Sequence, residues 1–219
     1  MPPFPVRSDQ TFLFIGDSIT DCGRTGDAGP YGNGYVRFFM DIVAKNHPEL
    51  DVRWVNKGAG GHTVQDLRAR WKADVLDLKP HWLSVMIGIN DCHRHISSHE
   101  DRAIDAYLSD YRDILEQVRP FAPRLVLLDP FYIATSDTLP AGDPVPAAIL
   151  NRLPAYLEVV EDLARDFKAV HVRTQRMFED QLCYRSPDYF CPEPVHPYAS
   201  GHLMVAMEFY SVVLGAPAP

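Results

Sequence analysis

The chain has 219 residues, of which 46% are hydrophobic and 23% charged, so it is long enough for one sizeable core and too apolar to be disordered. Its 21 basic and 29 acidic side chains give a formal net charge of −8, and no extended basic run is present, which argues against a nucleic-acid partner. No apolar stretch reaches the roughly 18 residues needed to cross a bilayer, which argues against a membrane protein.

The N-terminus and the cysteines bear on location and on metal binding. Residues 1–8 contain three prolines and no apolar core, unlike a signal peptide, so a cytoplasmic protein is predicted if the chain is complete. The cysteines lack the CxxC spacing of zinc sites, so free thiols are expected, and neither a metal nor another cofactor is predicted. The four are Cys22, Cys92, Cys183 and Cys191.

Five short apolar runs are predicted to be strands. Their hydrophobicity is continuous rather than alternating, which is typical of strands buried on both faces of a parallel sheet. In chain order they are residues 11–15, 51–55, 82–87, 125–128 and 169–172.

Stretches of helical period lie between and after these runs. Their apolar residues recur every three or four positions, which predicts helices with one buried face. The predicted helices are residues 33–45, 63–76, 104–118, 157–167 and 197–214. Alternating strands and helices predict a three-layer α/β/α sandwich with a five-stranded parallel, flavodoxin-like sheet. We expect one domain over residues 1–219, with residues 1–10 as an N-terminal extension.

One segment interrupts this alternation. Residues 130–146 contain four prolines and lie between the fourth strand and the next helix. Loops of this length in compact domains usually have a function. Two interpretations stay open, a lid over a site or a subunit contact, and the second predicts a homo-oligomer.

Polar and glycine-rich segments follow the predicted strands. In open parallel sheets, ligands bind beyond the carboxyl ends of the strands, so these segments are expected at one edge. Each has a structural explanation of its own: a helix cap, a tight turn, or the first residue of a helix. Their convergence on one edge favours a catalytic site instead. The segments are residues 16–18, 56–61, 88–91 and, before the last helix, 193–196.

Nucleophilic catalysis gives each segment a role. A serine hydroxyl needs a base to remove its proton, so Ser18 is the candidate nucleophile and His196 the candidate base. Glu193 is placed to orient the imidazole. A tetrahedral intermediate needs donors for its oxyanion, and the backbone N–H groups of Ser18 and Gly61 and the side-chain amide of Asn90 are predicted to supply them.

The same segments resemble a known family. The strings GDSIT, NKGAGG, GIND and VHP, in this order, are similar to the four conserved blocks of SGNH (GDSL-type) hydrolases. The resemblance implies the SGNH hydrolase fold and matches Ser18, Gly61, Asn90 and His196 to the four name-giving residues. The strings FLFIGDSITDCGR, NKGAGGHTVQDLRARW and VHPYASGH are similar to the acetylxylan-esterase branch. That branch implies a serine esterase that removes acetyl groups from carbohydrates, with acetylated xylo-oligosaccharides as substrates.

The sequence departs from this family at one position. Members usually carry aspartate three residues before the histidine, whereas this chain has Glu193. Two interpretations stay open: Glu193 completes a triad from a displaced backbone, or Ser18 and His196 act as a dyad.

Several further residues are candidate substrate contacts. They lie in or beside the motifs or in the glycine-rich approach to the first long helix, and they are Asp17, Tyr31, Tyr35, Asp91 and His93. The string Cys92-His93-Arg94-His95 also suggests a metal site, but adjacent ligands on a loop are geometrically awkward, so no metal site is predicted.

Three other functions stay open. A lysophospholipase or thioesterase needs an apolar channel, which the polar residues Asn33, His93 and His95 oppose. A broad short-chain arylesterase would use the same serine mechanism. A non-catalytic carbohydrate-binding protein is the third alternative, and the presence of both Ser18 and His196 argues against it.

Overall fold

All five predicted strands form, and their bounds differ little from the prediction. The computed structural model describes residues 5–98, 103–140 and 142–215. The second strand ends three residues later than predicted, because it lies at the edge of the sheet, where polar residues are tolerated. The strands are β1 (Thr11–Gly16), β2 (Arg53–Gly58), β3 (Trp82–Met86), β4 (Arg124–Leu128) and β5 (Val170–Val172).

The sheet is parallel throughout and has the strand order β2-β1-β3-β4-β5. This order confirms the predicted flavodoxin-like sheet. Gly16, the last residue of β1, pairs with Gly58 of β2 and with Met86 of β3, so the three strands end level. The chain order reverses between β1 and β3, and the loops that follow these strands diverge there to leave a crevice.

Eight α-helices lie in the described residues. They are α1 (Ser18–Asp21), α2 (Tyr35–Asn46), α3 (Val64–Trp71), α4 (Ile89–Ser98), α5 (Ala103–Glu116), α6 (Pro144–Asp166), α7 (Thr174–Leu182) and α8 (Ala199–Gly215). Helices α2 and α8 pack together on one face of the sheet, and α3, α4, α5 and α6 contact one another on the opposite face. This arrangement gives the predicted three layers.

Three helical predictions were incomplete. Residues 92–95 were expected on a loop but lie in α4, because the buried Cys92 and His95 complete an apolar face that the polar composition hides. The sixth helix begins at Pro144, where Asp143 accepts a hydrogen bond from the Val145 N–H and caps it. The helix α7 was not predicted.

Strand β1 forms the centre of the core. Its residues are all buried, and the side chains of Phe12 and Phe14 point to the face covered by α2 and α8. Their rings lie 5.6 and 5.8 Å from the ring of Phe39 in α2, and both lie within 6.0 Å of Phe209 in α8. Full burial of such a side chain contributes about 1.5–3 kcal/mol, so this packing fixes the strand that carries the site.

The proline-rich loop after β4 is partly anchored. Phe131 and Ile133 are fully buried, and the Ile133 N–H donates to the Pro194 carbonyl at 2.8 Å. Residues 131–133 therefore do not form a lid; they support the turn that carries Glu193 and His196. Among the described helices, none is long and apolar enough to span a bilayer.

Candidate active site

The candidate nucleophile lies at the first turn after β1. Asp17 caps α1 by accepting a hydrogen bond from the Ile19 N–H at 3.0 Å, and this places Ser18 at the start of the helix. Ser18 Oγ lies 2.7 Å from His196 Nε2. Gly16 leaves room for the neighbouring strand and for α1, since a Cβ at this position would lie 2.2 Å from the Met86 carbonyl oxygen and 2.5 Å from Thr20 Oγ1.

The imidazole of His196 is held from its other side. Its Nδ1 forms a short hydrogen bond with Glu193 Oε1, and Glu193 Oε2 accepts from the Val195 N–H at 3.2 Å. A carboxylate on Nδ1 fixes the proton there, so Nε2 is free to accept the Ser18 hydroxyl proton. About half of each side chain is exposed, 53% for His196 and 45% for Glu193, so this pair is open to solvent.

Two segments, which follow β2 and β3, leave the sheet at the same edge as the segment that carries Ser18. Gly61 has a φ of 74°, a left-handed conformation that glycine adopts without strain, and its carbonyl accepts from Arg94 Nη2 at 3.2 Å. The Asn90 side chain donates one Nδ2 hydrogen to the His62 carbonyl at 3.0 Å. An amide nitrogen carries two hydrogens, so this bond orients the group and leaves the second hydrogen for a ligand.

The comparisons with known proteins agree with this geometry. The sequence pattern of the GDSL-like lipase/acylhydrolase family matches residues 14–204, most of the chain. The chain belongs to this family. It is 36% identical to an acetylxylan esterase of Geobacillus stearothermophilus over 213 residues, which cover 93% of this chain and 94% of that enzyme. The resemblance to SGNH (GDSL-type) hydrolases and to their acetylxylan-esterase branch is thereby confirmed.

Solved structures give the same result for the fold. The crystal structure of Axe2, an acetylxylan esterase from Geobacillus stearothermophilus, has a TM-score of 0.85 at 34% identity and covers 97% of each chain. LAE5, an alpha/beta hydrolase from the metagenome of Lake Arreo, Spain, has a TM-score of 0.85 at 27% identity, covering 96% of this chain and 98% of that one. These matches confirm the predicted SGNH hydrolase fold. The family match and the acetylxylan esterase relative confirm the prediction that the protein is a carboxylic ester hydrolase.

Two buried carboxyl groups lie beside the catalytic segments of this acylhydrolase. Burial raises the pKa of Asp17 to about 7, and the charge of Asp91 adds to the increase. Burial also raises the pKa of Asp91 to about 7, although both of its oxygens accept from the Val64 N–H, at 3.1 and 3.3 Å. Asp91 thus ties the start of α3 to α4 and keeps the loops of Gly61 and Asn90 together.

The raised pKa of Asp17 predicts a pH-dependent stability. The folded state holds this proton more tightly than the unfolded chain, in which the carboxyl pKa is near 3.8, so the contribution of Asp17 to the free energy of unfolding falls as pH rises from 3.8 to about 7. Asp17→Asn keeps the cap and removes the titration. Relative to wild type, we expect it to gain about 2 kcal/mol in unfolding free energy between pH 5 and pH 7, since one pKa unit is worth about 1.36 kcal/mol.

Urea unfolding at pH 5, 6 and 7 measures this difference. Asp137→Asn, at an exposed position, is the matched control and is expected to follow wild type at each pH. Parallel pH profiles for wild type and Asp17→Asn would contradict the assignment.

Two predicted substrate contacts are wrong. Tyr35 is fully buried, and its hydroxyl lies 3.1 Å from Thr20 Oγ1 inside the core, so it does not reach a ligand. Asp17 is 1% exposed, and its carboxyl group is used to cap α1. Asp91 is largely buried as well, and its bond to Val64 gives it a structural role.

The other two predicted contacts remain predictions. Tyr31 is partly exposed, and its backbone carbonyl accepts from Asn56 Nδ2 at 2.8 Å. His93 is partly exposed on α4, with its ring centroid 6.2 Å from that of Tyr132. Its neighbour His95 is buried, with Nδ1 3.1 Å from the Tyr156 hydroxyl and Nε2 2.9 Å from Arg152 Nη1. The described residues contain no group of three or more metal-ligating side chains placed to hold a metal ion.

The structure also shows a positioning residue that the motifs did not indicate. Arg70 of α3 donates to the Gly16 carbonyl at 3.2 Å and to the Lys57 carbonyl at 2.7 Å. Its Nε donates to His62 Nδ1 at 3.2 Å, and Asp74 pairs with the guanidinium. Arg70 thus connects the turn before Ser18 with the loop that follows β2. The sequence indicates this role of Arg70 only by its place on the predicted helix 63–76, which comes shortly after the glycine-rich segment 56–61.

Proposed function

We propose that the protein removes acetyl groups from acetylated xylo-oligosaccharides through an acyl-enzyme on Ser18. The observation that carries this proposal is the distance of 2.7 Å between Ser18 Oγ and His196 Nε2, with Glu193 bound to the opposite ring nitrogen. The acetylxylan esterase relative supports the choice of substrate, since crystallised variants of Axe2 are described as acetyl-xylooligosaccharide esterases.

The reaction proceeds in two displacements. His196 Nε2 takes the Ser18 proton as Oγ forms a bond to the acetyl carbonyl carbon, and the carbonyl oxygen becomes an oxyanion bound by Ser18 N–H, Gly61 N–H and Asn90 Nδ2. Collapse expels the sugar oxygen, which takes the proton from His196. Water, deprotonated by His196, then attacks the acetyl-enzyme, and acetate leaves as Ser18 regains its proton.

Glu193 completes the triad in this proposal. Catalytic mutants of Axe2 replace a serine, an aspartate and a histidine, with the aspartate three positions before the histidine. The same spacing separates Glu193 from His196. The longer glutamate reaches Nδ1 while its second oxygen binds the Val195 N–H, so the turn accommodates the additional methylene. This contact favours the triad over a Ser18–His196 dyad.

The surroundings of the site favour a small acyl group on a bulky alcohol. Half of His196 is exposed, so the catalytic pair faces the solvent. The neighbouring cavity, about 310 Å³ and mostly apolar, is lined by Glu193 and by the proline-rich loop; Ser18 and His196 do not line it. A long acyl chain bound to Ser18 would need an apolar channel that begins at the serine. The described cavity does not begin at Ser18, and the solvent-facing pair favours a short acyl group over the long chains of the lysophospholipase and thioesterase alternatives.

A chain-length series tests the proposal. We expect kcat/KM to be highest for acetyl among p-nitrophenyl acetate, butyrate and octanoate, and acetate to be released from acetylated xylo-oligosaccharides. A preference for octanoate would contradict deacetylation while keeping the serine mechanism. Hydrolysis of p-nitrophenyl acetate alone would indicate an arylesterase, and no hydrolysis at all would indicate a carbohydrate-binding protein. A cytoplasmic location and self-association remain predictions.

Variants of Glu193 measure its part in catalysis. We expect Glu193→Ala to lower kcat/KM by about 30-fold, less than the roughly 10⁴-fold loss from a disrupted buried carboxylate, because water reaches this exposed pair. Glu193→Asp is expected to lose about fivefold, because its shorter side chain draws the carboxylate away from Nδ1. Glu158→Ala, at an exposed position of α6, is the matched control. A change within twofold for Glu193→Ala would establish the dyad.

A further inference from the structure

A cluster of three polar side chains beside the nucleophile has no role in the reaction described above. Cys22 Sγ lies 3.4 Å from His202 Nε2 and 3.1 Å from Asn33 Oδ1. The packing around the sulfur is tight, since a Cβ on Gly34 would lie 2.8 Å from Cys22 Sγ and 3.0 Å from His202 Cε1. The glycine in the Asn33-Gly34 pair is therefore needed for this contact.

The direction of each hydrogen bond in the cluster follows from the backbone. His202 Nδ1 accepts from the Tyr35 N–H at 3.3 Å, so the proton of the neutral ring is on Nε2 and points to the sulfur. Burial lowers the pKa of His202 to about 4, which keeps the ring neutral near pH 7. Burial also raises the pKa of the Cys22 thiol, which therefore stays protonated. The sulfur accepts from His202, and its S–H donates to Asn33 Oδ1.

This chain of donors fixes the Asn33 side chain. An amide group is planar, with its oxygen and nitrogen on opposite sides of Cγ. Because Oδ1 is bound to the inward-facing thiol of Cys22, the two hydrogens of Nδ2 point the other way, and Asn33 is an exposed residue. The Asn33 N–H also donates to the Cys22 carbonyl at 2.9 Å, so both its backbone and its side chain are held.

The fixed amide is connected by hydrogen bonds to the helical turn that carries Ser18. Cys22 ends the single turn of α1 that Ser18 begins, and its N–H donates to the Ser18 carbonyl at 2.9 Å. His202, at the start of α8, is near enough to His196 that a charge on His196 lowers the pKa of His202. Asn33 is thus connected to the nucleophile through Cys22, and Cys22 is connected through His202 to the helix that follows His196.

We propose that Asn33 is a substrate-binding residue that donates from Nδ2 to an oxygen of the saccharide next to the scissile ester. Cys22 and His202 are positioning residues that hold this amide in its donating orientation. The inference rests on the proposed carbohydrate deacetylation and adds a residue that selects for the sugar. A p-nitrophenyl leaving group offers no hydroxyl oxygen at that place, so the contact distinguishes the two substrates.

Steady-state kinetics with p-nitrophenyl acetate and acetylated xylo-oligosaccharides test this inference. Asn33→Ala is expected to raise KM for the saccharide about tenfold, the size of one neutral hydrogen bond, with kcat and the p-nitrophenyl acetate kinetics changed less than twofold. Asn33→Asp keeps the oxygen that accepts from Cys22 and removes the donor, so the same loss is expected. Cys22→Ala is expected to raise KM about threefold, and Cys22→Ser, which keeps a donor, to restore part of it.

The outcomes separate this inference from the proposed function. If wild type cleaves p-nitrophenyl acetate but no acetylated saccharide, the proposed function fails, and the sugar contact fails with it. If wild type cleaves both and the Asn33 variants match it on the saccharide, only the inference is overturned. Equal losses on both substrates would also overturn it, because they indicate damage to the catalytic site.

Discussion

Replacing Ser18 with alanine is expected to lower kcat by about 10⁴- to 10⁶-fold, because no other group in this mechanism forms the acyl-enzyme. The substitution removes only the hydroxyl group, and His196, which is hydrogen-bonded to it, is half exposed. The imidazole then bonds to water, so the free energy of unfolding should change by no more than about 0.5 kcal/mol. Initial rates with p-nitrophenyl acetate and urea unfolding of the same sample measure the two quantities.

The control for Ser18→Ala is a serine away from the site. Ser136 is exposed in the proline-rich loop, and its replacement by alanine should leave kcat unchanged. A burst of p-nitrophenol equal to the enzyme concentration, present in wild type and absent in Ser18→Ala, identifies the acyl-enzyme. A kcat for Ser18→Ala within tenfold of wild type would show that another group is the nucleophile.

Replacing Asn90 with alanine is expected to lower kcat by about 300-fold. One hydrogen of Asn90 Nδ2 is bound to the His62 carbonyl, which holds the amide before any substrate arrives. Such a preorganised donor stabilises the oxyanion in the transition state more than the neutral carbonyl of the substrate, and removal of one typically costs about 10²–10³ in kcat. We therefore expect KM to change less than about threefold.

Two further variants sharpen this result. Asn90→Asp has nearly the same shape but no donor, so it should lose at least as much activity as the alanine variant. Asn151→Ala, an exposed asparagine of α6, should behave as wild type. A rise in KM without a fall in kcat would indicate that Asn90 binds the substrate in its ground state, and would remove it from the oxyanion hole.

The sheet was predictable because its signal is local. Strands buried on both faces need continuous apolar runs, and β1, β3 and β4 have them. Helix α4 was not predictable in the same way. Its buried face includes His95, which is polar in the sequence and becomes a core residue only because Tyr156 and Arg152 of α6 bind its two nitrogens. Tertiary contacts of this kind are absent from any local pattern.

The candidate site was also predictable where its signal is local, and not where it depends on tertiary contacts. Ser18, Gly61 and Asn90 lie in short motifs that follow strands, and His196 lies in a motif before the last helix, so these candidates and their shared sheet edge could be predicted. The burial of Tyr35 could not, because the predicted helix over residues 33–45 does not show which of its first residues face the core, and Tyr35 at the start of α2 does. The bonds made by Cys22 and Arg70 depend on side chains far apart in the sequence and appear only in the folded chain.

The distance along the chain between the two reacting groups has a consequence for handling the protein. Ser18 and His196 are 178 positions apart, the first at the start of α1 and the second in the turn before α8. Their contact requires β1 paired between β2 and β3, the turn supported by Ile133, and α8 packed against α2. Hydrolysis of a chromogenic ester is therefore a readout of complete folding: a chain cut before residue 196 has no route to activity. In screens for stability or expression, the rate of ester hydrolysis therefore reports the amount of completely folded protein.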